Sequence, residues 1–108
     1  MMTFLRIIVT TFAILIGTSN TYAEPSTKVA RELGLLIASE EICLLTYSLK
    51  AISDYVTKHV PPNDMEFADN LRRSIRVAKH DINTMAPSEV TAHCTQIIRS
   101  ALYYEFID

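Results

Sequence analysis

The chain has 108 residues, enough for one small domain, with 10 Lys and Arg against 12 Asp and Glu and a formal charge of −2. That balance argues against a surface built as a whole to hold nucleic acid or an anionic membrane. With 49% hydrophobic and 20% charged residues, the chain is too apolar and too weakly charged to stay disordered.

The N-terminus reads as an address. Met1 to Arg6 carries one positive charge, and Ile7 to Gly17 is a nearly unbroken apolar run of about eleven residues, the length of a signal-peptide core. A spanning helix needs roughly 20 apolar residues, so export is expected rather than an anchor, and membrane contact is expected only during export. Thr21-Tyr22-Ala23 places small residues at the −3 and −1 positions of a cleavage site. Cleavage is predicted after Ala23, leaving a helical periplasmic domain over 24–108. Its loss removes one base, Arg6, and no acid, so the formal charge moves from −2 to −3.

A mature domain of this size buries only about 60% of its unfolded surface, and small domains recruit a staple. Cys43 and Cys94 supply one: in an oxidising compartment, two thiols without CxxC spacing predict a structural disulfide rather than a redox or metal site. In the chain-entropy picture, closing that loop stabilises the fold by roughly 4 kcal/mol.

Along the mature chain, Pro25, Pro61-Pro62 and Pro87 separate helical blocks. Val29, Leu33, Leu36, then Ile42, Leu45, Leu49, Ile52, Val56 and Val60 recur mostly at three- and four-residue spacing, which is one amphipathic face. The rhythm breaks between Leu36 and Ile42, and Ser39-Glu40-Glu41 resembles an N-cap followed by acids. Either two helices meet near Ser39 or one helix runs through with a change of face. Asn63 to Glu66 has the pattern of a capping box opening a second helix that runs to about Asn83, with Phe67 or Ala68, Leu71, Ile75, Ala78, Ile82 and then Met85 as its buried stripe. After a turn, Ser88 is the predicted cap of a last helix whose inner face is Val90, Cys94, Ile97, Ala101 and Tyr104. No stretch alternates with period two, so no sheet is expected. The predicted fold is all-α, a bundle of three or four antiparallel helices with one disulfide joining the first main helix to the last.

The spacing signatures of hydrolases, metalloenzymes and nucleotide-binding loops are absent, so neither catalysis nor a cofactor is expected. His59, His80 and His93 share no i, i+3 or i, i+4 spacing, so no metal site is expected. Their charge changes in the range an exported protein meets, which makes them candidate pH sensors. The most distinctive surface feature is basic: Arg72, Arg73, Arg76, Lys79 and His80, four of them following the helical period. Such a stripe suits an anionic partner, such as a phosphorylated envelope lipid or an acidic protein surface. The plain alternative is a solvated face partly neutralised by Asp69 and Asp81. Tyr103, Tyr104 and Phe106 are expected to close the helix end against the core, with contact to a second copy or a partner as the alternative.

The export signal, the two cysteines, and the segments Ser39-Glu40, Leu45-Thr46-Tyr47, Asp64-Met65 and Thr91-Ala92-His93-Cys94 resemble a group of small periplasmic proteins of Gram-negative bacteria with no assigned activity. The cysteine spacing and Cys94-Thr95-Gln96 are also similar to the acid-activated periplasmic chaperones, although the chain has no Trp. The first resemblance implies a non-enzymatic protein acting by protein or envelope contact, in stress survival or in host adaptation and virulence. The second implies a holdase that exposes apolar stripes when acid protonates its carboxylates. A binder of anionic envelope ligands through the basic stripe is the third expectation.

Overall fold

In a computed structural model that describes residues 26–108, four helices follow one another: α1 (Ser26–Ser39), α2 (Leu49–His59), α3 (Phe67–Asn83) and α4 (Pro87–Tyr103). Among the described residues there is no strand, and the Cys43 and Cys94 sulfurs stand at bonding distance. The fold is thus the all-α, disulfide-stapled bundle that the helical spacing predicts. The signal peptide over 1–23 and its cleavage after Ala23 lie outside the described residues.

The first helix is the heart of the core. Val29, Leu33 and Leu36 form a large apolar face, each burial stabilising the fold by about 1.5–3 kcal/mol, while Ala30, Gly34 and Ala38 form a small buried face four residues apart. Helix α3 packs against that small face. A Cβ built on Gly34 would stand 2.7 Å from Ser74 Cβ, so the crossing requires glycine. Thr27 and Arg31 lie beside Asn70 and Arg73, Gly34 against Ser74, and Ala38 near Ile82. These pairings climb together, so α1 and α3 run parallel. The antiparallel expectation therefore does not hold for the α1–α3 pair, which forms the main helix contact.

Three predicted caps are corrected. Ser39 does not open a helix: it is the last residue of α1, and its hydroxyl bonds back to the Leu35 carbonyl at 2.7 Å. The helix ends in a Schellman turn, with Leu45 N donating to Glu40 O at 2.8 Å and Leu44 N to Glu41 O at 3.1 Å around Leu44 at φ 56°. Ser48 is the cap, accepting from Ala51 N at 3.1 Å to start α2. Asn63 opens no capping box, because Asp64 Oδ1 takes the Glu66 N–H at 3.1 Å and that extra turn delays α3 to Phe67. Ser88 is not the cap of α4, since Pro87 already occupies its first turn, where a missing N–H costs nothing.

Cys43 therefore belongs to the α1–α2 connection rather than to a helix start, and the disulfide ties that connection to the middle of α4. A second Schellman turn ends α4, with Phe106 N donating to Ala101 O at 2.8 Å and Glu105 N to Leu102 O at 3.1 Å around Glu105 at φ 61°. It throws Phe106 back into the core, where the ring is fully buried beside Tyr47 and Tyr55. The Phe106 carbonyl also accepts from Ser48 N at 2.8 Å, so the chain terminus fastens the start of α2. Phe106 thus carries the core role expected of the terminal aromatics, while Tyr103 remains 81% exposed.

The α1–α2 connection is held by polar contacts as well. Tyr47 donates its hydroxyl to the Leu36 carbonyl at 2.8 Å and its backbone N–H to Glu40 Oε2 at 2.7 Å. Burial first, and the neighbouring Glu40 charge second, push the Tyr47 phenol up to about 12. Lys50 on the surface of α2 is held above its usual range by its hydrogen bond to Asp54 and that carboxylate's charge.

Candidate functional site

The inward stripe on α3 is Phe67, Leu71, Ile75, Ala78 and Ile82, as the helical period predicts, with Phe67 and Ile82 buried and the other three half-buried; Ala68 stays exposed. Val77 lies off that stripe and is 58% exposed. Leu35 is likewise off the large face of α1 and is 41% exposed. The close Gly34–Ser74 crossing sets these two residues along one groove of about 840 Å³ between α1 and α3, closed at its far end by Met85 and by His93 of α4. Its α3 wall from Arg73 to Ile82 is about 14 Å long at the rise of an α-helix, and Met85 lies past the helix end.

Charge along the groove is polarised. Arg31 and Arg73 stand at one end, where they also share a smaller recess of about 260 Å³ with Thr27, Asn70 and Ser74. Because α1 and α3 run parallel, the positive ends of both helix dipoles lie at this same end. Lys28 on the rim is 3.9 Å from Glu32. Asp81 lines the groove on the α3 side, one turn before Met85.

The five basic residues singled out from the sequence are all exposed on α3, and the structure divides them. Arg73 joins the groove opposite Arg31, while Arg76 and His80 continue the same edge of α3 at helical spacing. Arg72 lies 3.9 Å from Asp69, and Lys79 turns toward a separate shallow cavity beside Glu41 and Asn83. The three histidines occupy three helices: His59 stacks on Tyr55 at a centroid distance of 4.5 Å, His80 is exposed, and His93 bonds to Ser39.

Ser39 Oγ and His93 Nε2 stand 2.8 Å apart, the spacing of a nucleophile and its base. The hydroxyl also bonds at 2.7 Å to the Leu35 carbonyl, which can only accept, so Ser39 donates there, and Ser39 is fully buried, out of reach of a substrate. The pair pins the end of α1 to α4 beside the disulfide. Sequence spacing missed both this pair and the groove, since each joins positions on different helices. The only local signal was Leu35 and Val77 falling off their helices' apolar faces.

Among the described residues no helix is long and apolar enough to cross a membrane. Compared with protein-family models, curated proteins and solved structures, the chain matches none.

Proposed function

We propose that this chain is a non-enzymatic contact protein of the periplasm, exported by the 1–23 leader and stapled there by Cys43–Cys94, which acts in stress survival or host adaptation by binding a protein of the envelope. The observation that carries this reading is the α1–α3 groove, in which Leu35 and Val77 stay in water along one depression edged by Arg31 and Arg73. An apolar depression with charged residues on its edge suits contact with a partner's apolar side chains. The disulfide fits an oxidising compartment.

The test is site-specific photo-crosslinking in intact cells, with the crosslinker at Val77 and a control at exposed Thr57 on α2. A discrete adduct from Val77 that Leu35→Asp removes, with the protein still folded and fractionating with the periplasm, is the expected result. Equal labelling from both positions refutes the reading. For the acid-holdase alternative, the ion pairs Lys28–Glu32, Lys50–Asp54 and Asp69–Arg72 each lie within one helix, and the acid-sensitive contact between elements is the Glu40 carboxylate on Tyr47 N in the α1–α2 connection. Suppression of client aggregation confined to about pH 3, with dye-reported apolar exposure, would replace the contact reading by that one.

A further inference from the structure

We infer that the α1–α3 groove takes an amphipathic helix of a partner protein about three turns long, with its apolar stripe on Leu35, Val77 and Met85, acidic residues at the Arg31–Arg73 end and a basic residue at the Asp81 end. The inference rests on the contact reading above and specifies the chemistry of the partner. Three observations lead to it.

The first is shape. The α3 wall of the groove, Arg73 to Ile82, runs about 14 Å, the length of about nine helical residues, Met85 extends it past the helix end, and the groove is open along its side. A detached acyl chain laid in it would leave much of its hydrocarbon wet, whereas binding sites for small apolar molecules enclose most of the ligand surface. A helix needs to bury only one stripe and leaves its polar face in water. The second is the spacing of the floor. Ala78, Ile82 and Met85 follow one another at four and three residues along and beyond α3, with Val77 beside Ala78, and such spacing admits the side-chain ridges of another helix.

The third is charge. Arg31 and Arg73 lie at the end where both helix dipoles are positive, and Arg76 and His80 continue that edge past Val77. Asp81 marks the opposite end, and Glu32 is matched by Lys28 within α1. A carboxylate at the first end is therefore attracted and a cation there repelled, while Asp81 offers a cation its one acidic partner at the second end, so the reversed helix is the weaker fit. Charge placed in this way fixes direction more than it adds affinity.

The probe is a fluorescein-labelled, stapled peptide of about three helical turns, with Leu at i, i+3, i+4 and i+7, Glu in its first turn and Lys in its last. Its partner in the assay is the exported, oxidised protein, and anisotropy is read at low and at physiological salt. Saturable binding is expected, weakened by salt and about tenfold weaker with Arg31→Glu and Arg73→Glu together. A peptide with Lys in its first turn should bind that charge-reversed protein better than the wild type. Val77→Glu should abolish binding of either peptide, with far-UV circular dichroism confirming the fold. No saturable binding of the acidic peptide, binding indifferent to Val77→Glu, or a failed charge exchange each overturns the inference. Saturable binding of myristate at the groove by the same protein, with none of the peptide, assigns it to an amphiphile instead. If the peptide fails while the Val77 adduct in cells persists, the contact reading stands with a partner of other chemistry; if both fail, that reading falls as well.

Discussion

Replacing Gly34 by Ala tests the crossing on which both the core and the groove depend. In an exposed helix interior the change would stabilise by about 1 kcal/mol, because Ala loses less backbone freedom. Here the new methyl meets Ser74 Cβ at 2.7 Å, the Ser74 carbonyl carbon at 3.2 Å and Ile75 N at 3.2 Å. None of these is the free end of a side chain, so no rotamer change relieves the contact and α3 must move away from α1 by roughly 1 Å. Overpacking of that kind costs about 1–3 kcal/mol, and the strain exceeds the propensity gain. The expected net loss is about 1 kcal/mol, or about 4–8 °C in Tm for a domain of this size. Ser74→Gly alone should cost about 0.5 kcal/mol through helix propensity. In the double variant the shortest contact is gone, so Gly34→Ala should cost at least about 1 kcal/mol less than it does alone. Thermal melts of the four oxidised proteins read this cycle. A higher Tm for Gly34→Ala in the otherwise native chain, or additivity of the two changes, would refute the close crossing.

Three further outcomes are expected. The Tyr47 phenol keeps its proton to about 12 in the folded chain against 10.0 unfolded, so its contribution is fully present below pH 10 and is lost as pH rises toward 12. That loss is on the order of 2–3 kcal/mol; urea titrations across this range should show it, and Tyr47→Phe should flatten the dependence while costing about 1 kcal/mol at neutral pH through the Leu36 carbonyl. Leu44 and Glu105 hold left-handed backbone at the two Schellman turns, and Leu44 is 92% exposed. Leu44→Gly and Glu105→Gly should therefore each stabilise by about 0.5–1 kcal/mol, and a lower urea midpoint for either would contradict the strain argument. Reduction of the disulfide, or Cys43→Ser with Cys94→Ser, should remove about 4 kcal/mol of stability; a loss below about 1 kcal/mol would mean that the α1–α2 connection is already ordered in the unfolded chain.

What was legible in the sequence is what depends on period and on neighbours in the chain. The stripe from Phe67 to Ile82, the end of α3 at Asn83 and the inner face of α4 through Cys94, Ile97 and Ala101 follow from spacing alone. Helix starts were less legible, because several polar residues compete for each cap. Ser39 and Ser48 are equally good caps by type, and what selects Ser48 is the Schellman turn at Leu44, a turn that residue type does not announce because glycine normally fills it. The same holds at Asn63, where Asp64 takes the hydrogen bond one residue later.

The site was hidden for a different reason. Helical spacing arranges α3 into a buried stripe and a basic one, and the boundary between them, at Arg73 and Val77, carries no signal beyond an apolar Val77 lying off the buried stripe. It becomes a groove because α1, about forty residues earlier, presents a glycine to Ser74 and thereby brings Leu35 and Arg31 alongside. The parallel course of α1 and α3 then sets their positive dipole ends and two arginines at one end of an apolar floor, a polarity that neither helix shows alone. Gly34→Ala should accordingly weaken the acidic helix probe as well as the fold, since moving α3 outward separates Leu35 from Val77. Val77→Glu should abolish binding at unchanged stability, because that side chain is 58% exposed and contributes little to the core. A Val77→Glu protein that melted as low as Gly34→Ala would place Val77 in the core and leave the groove without a free wall.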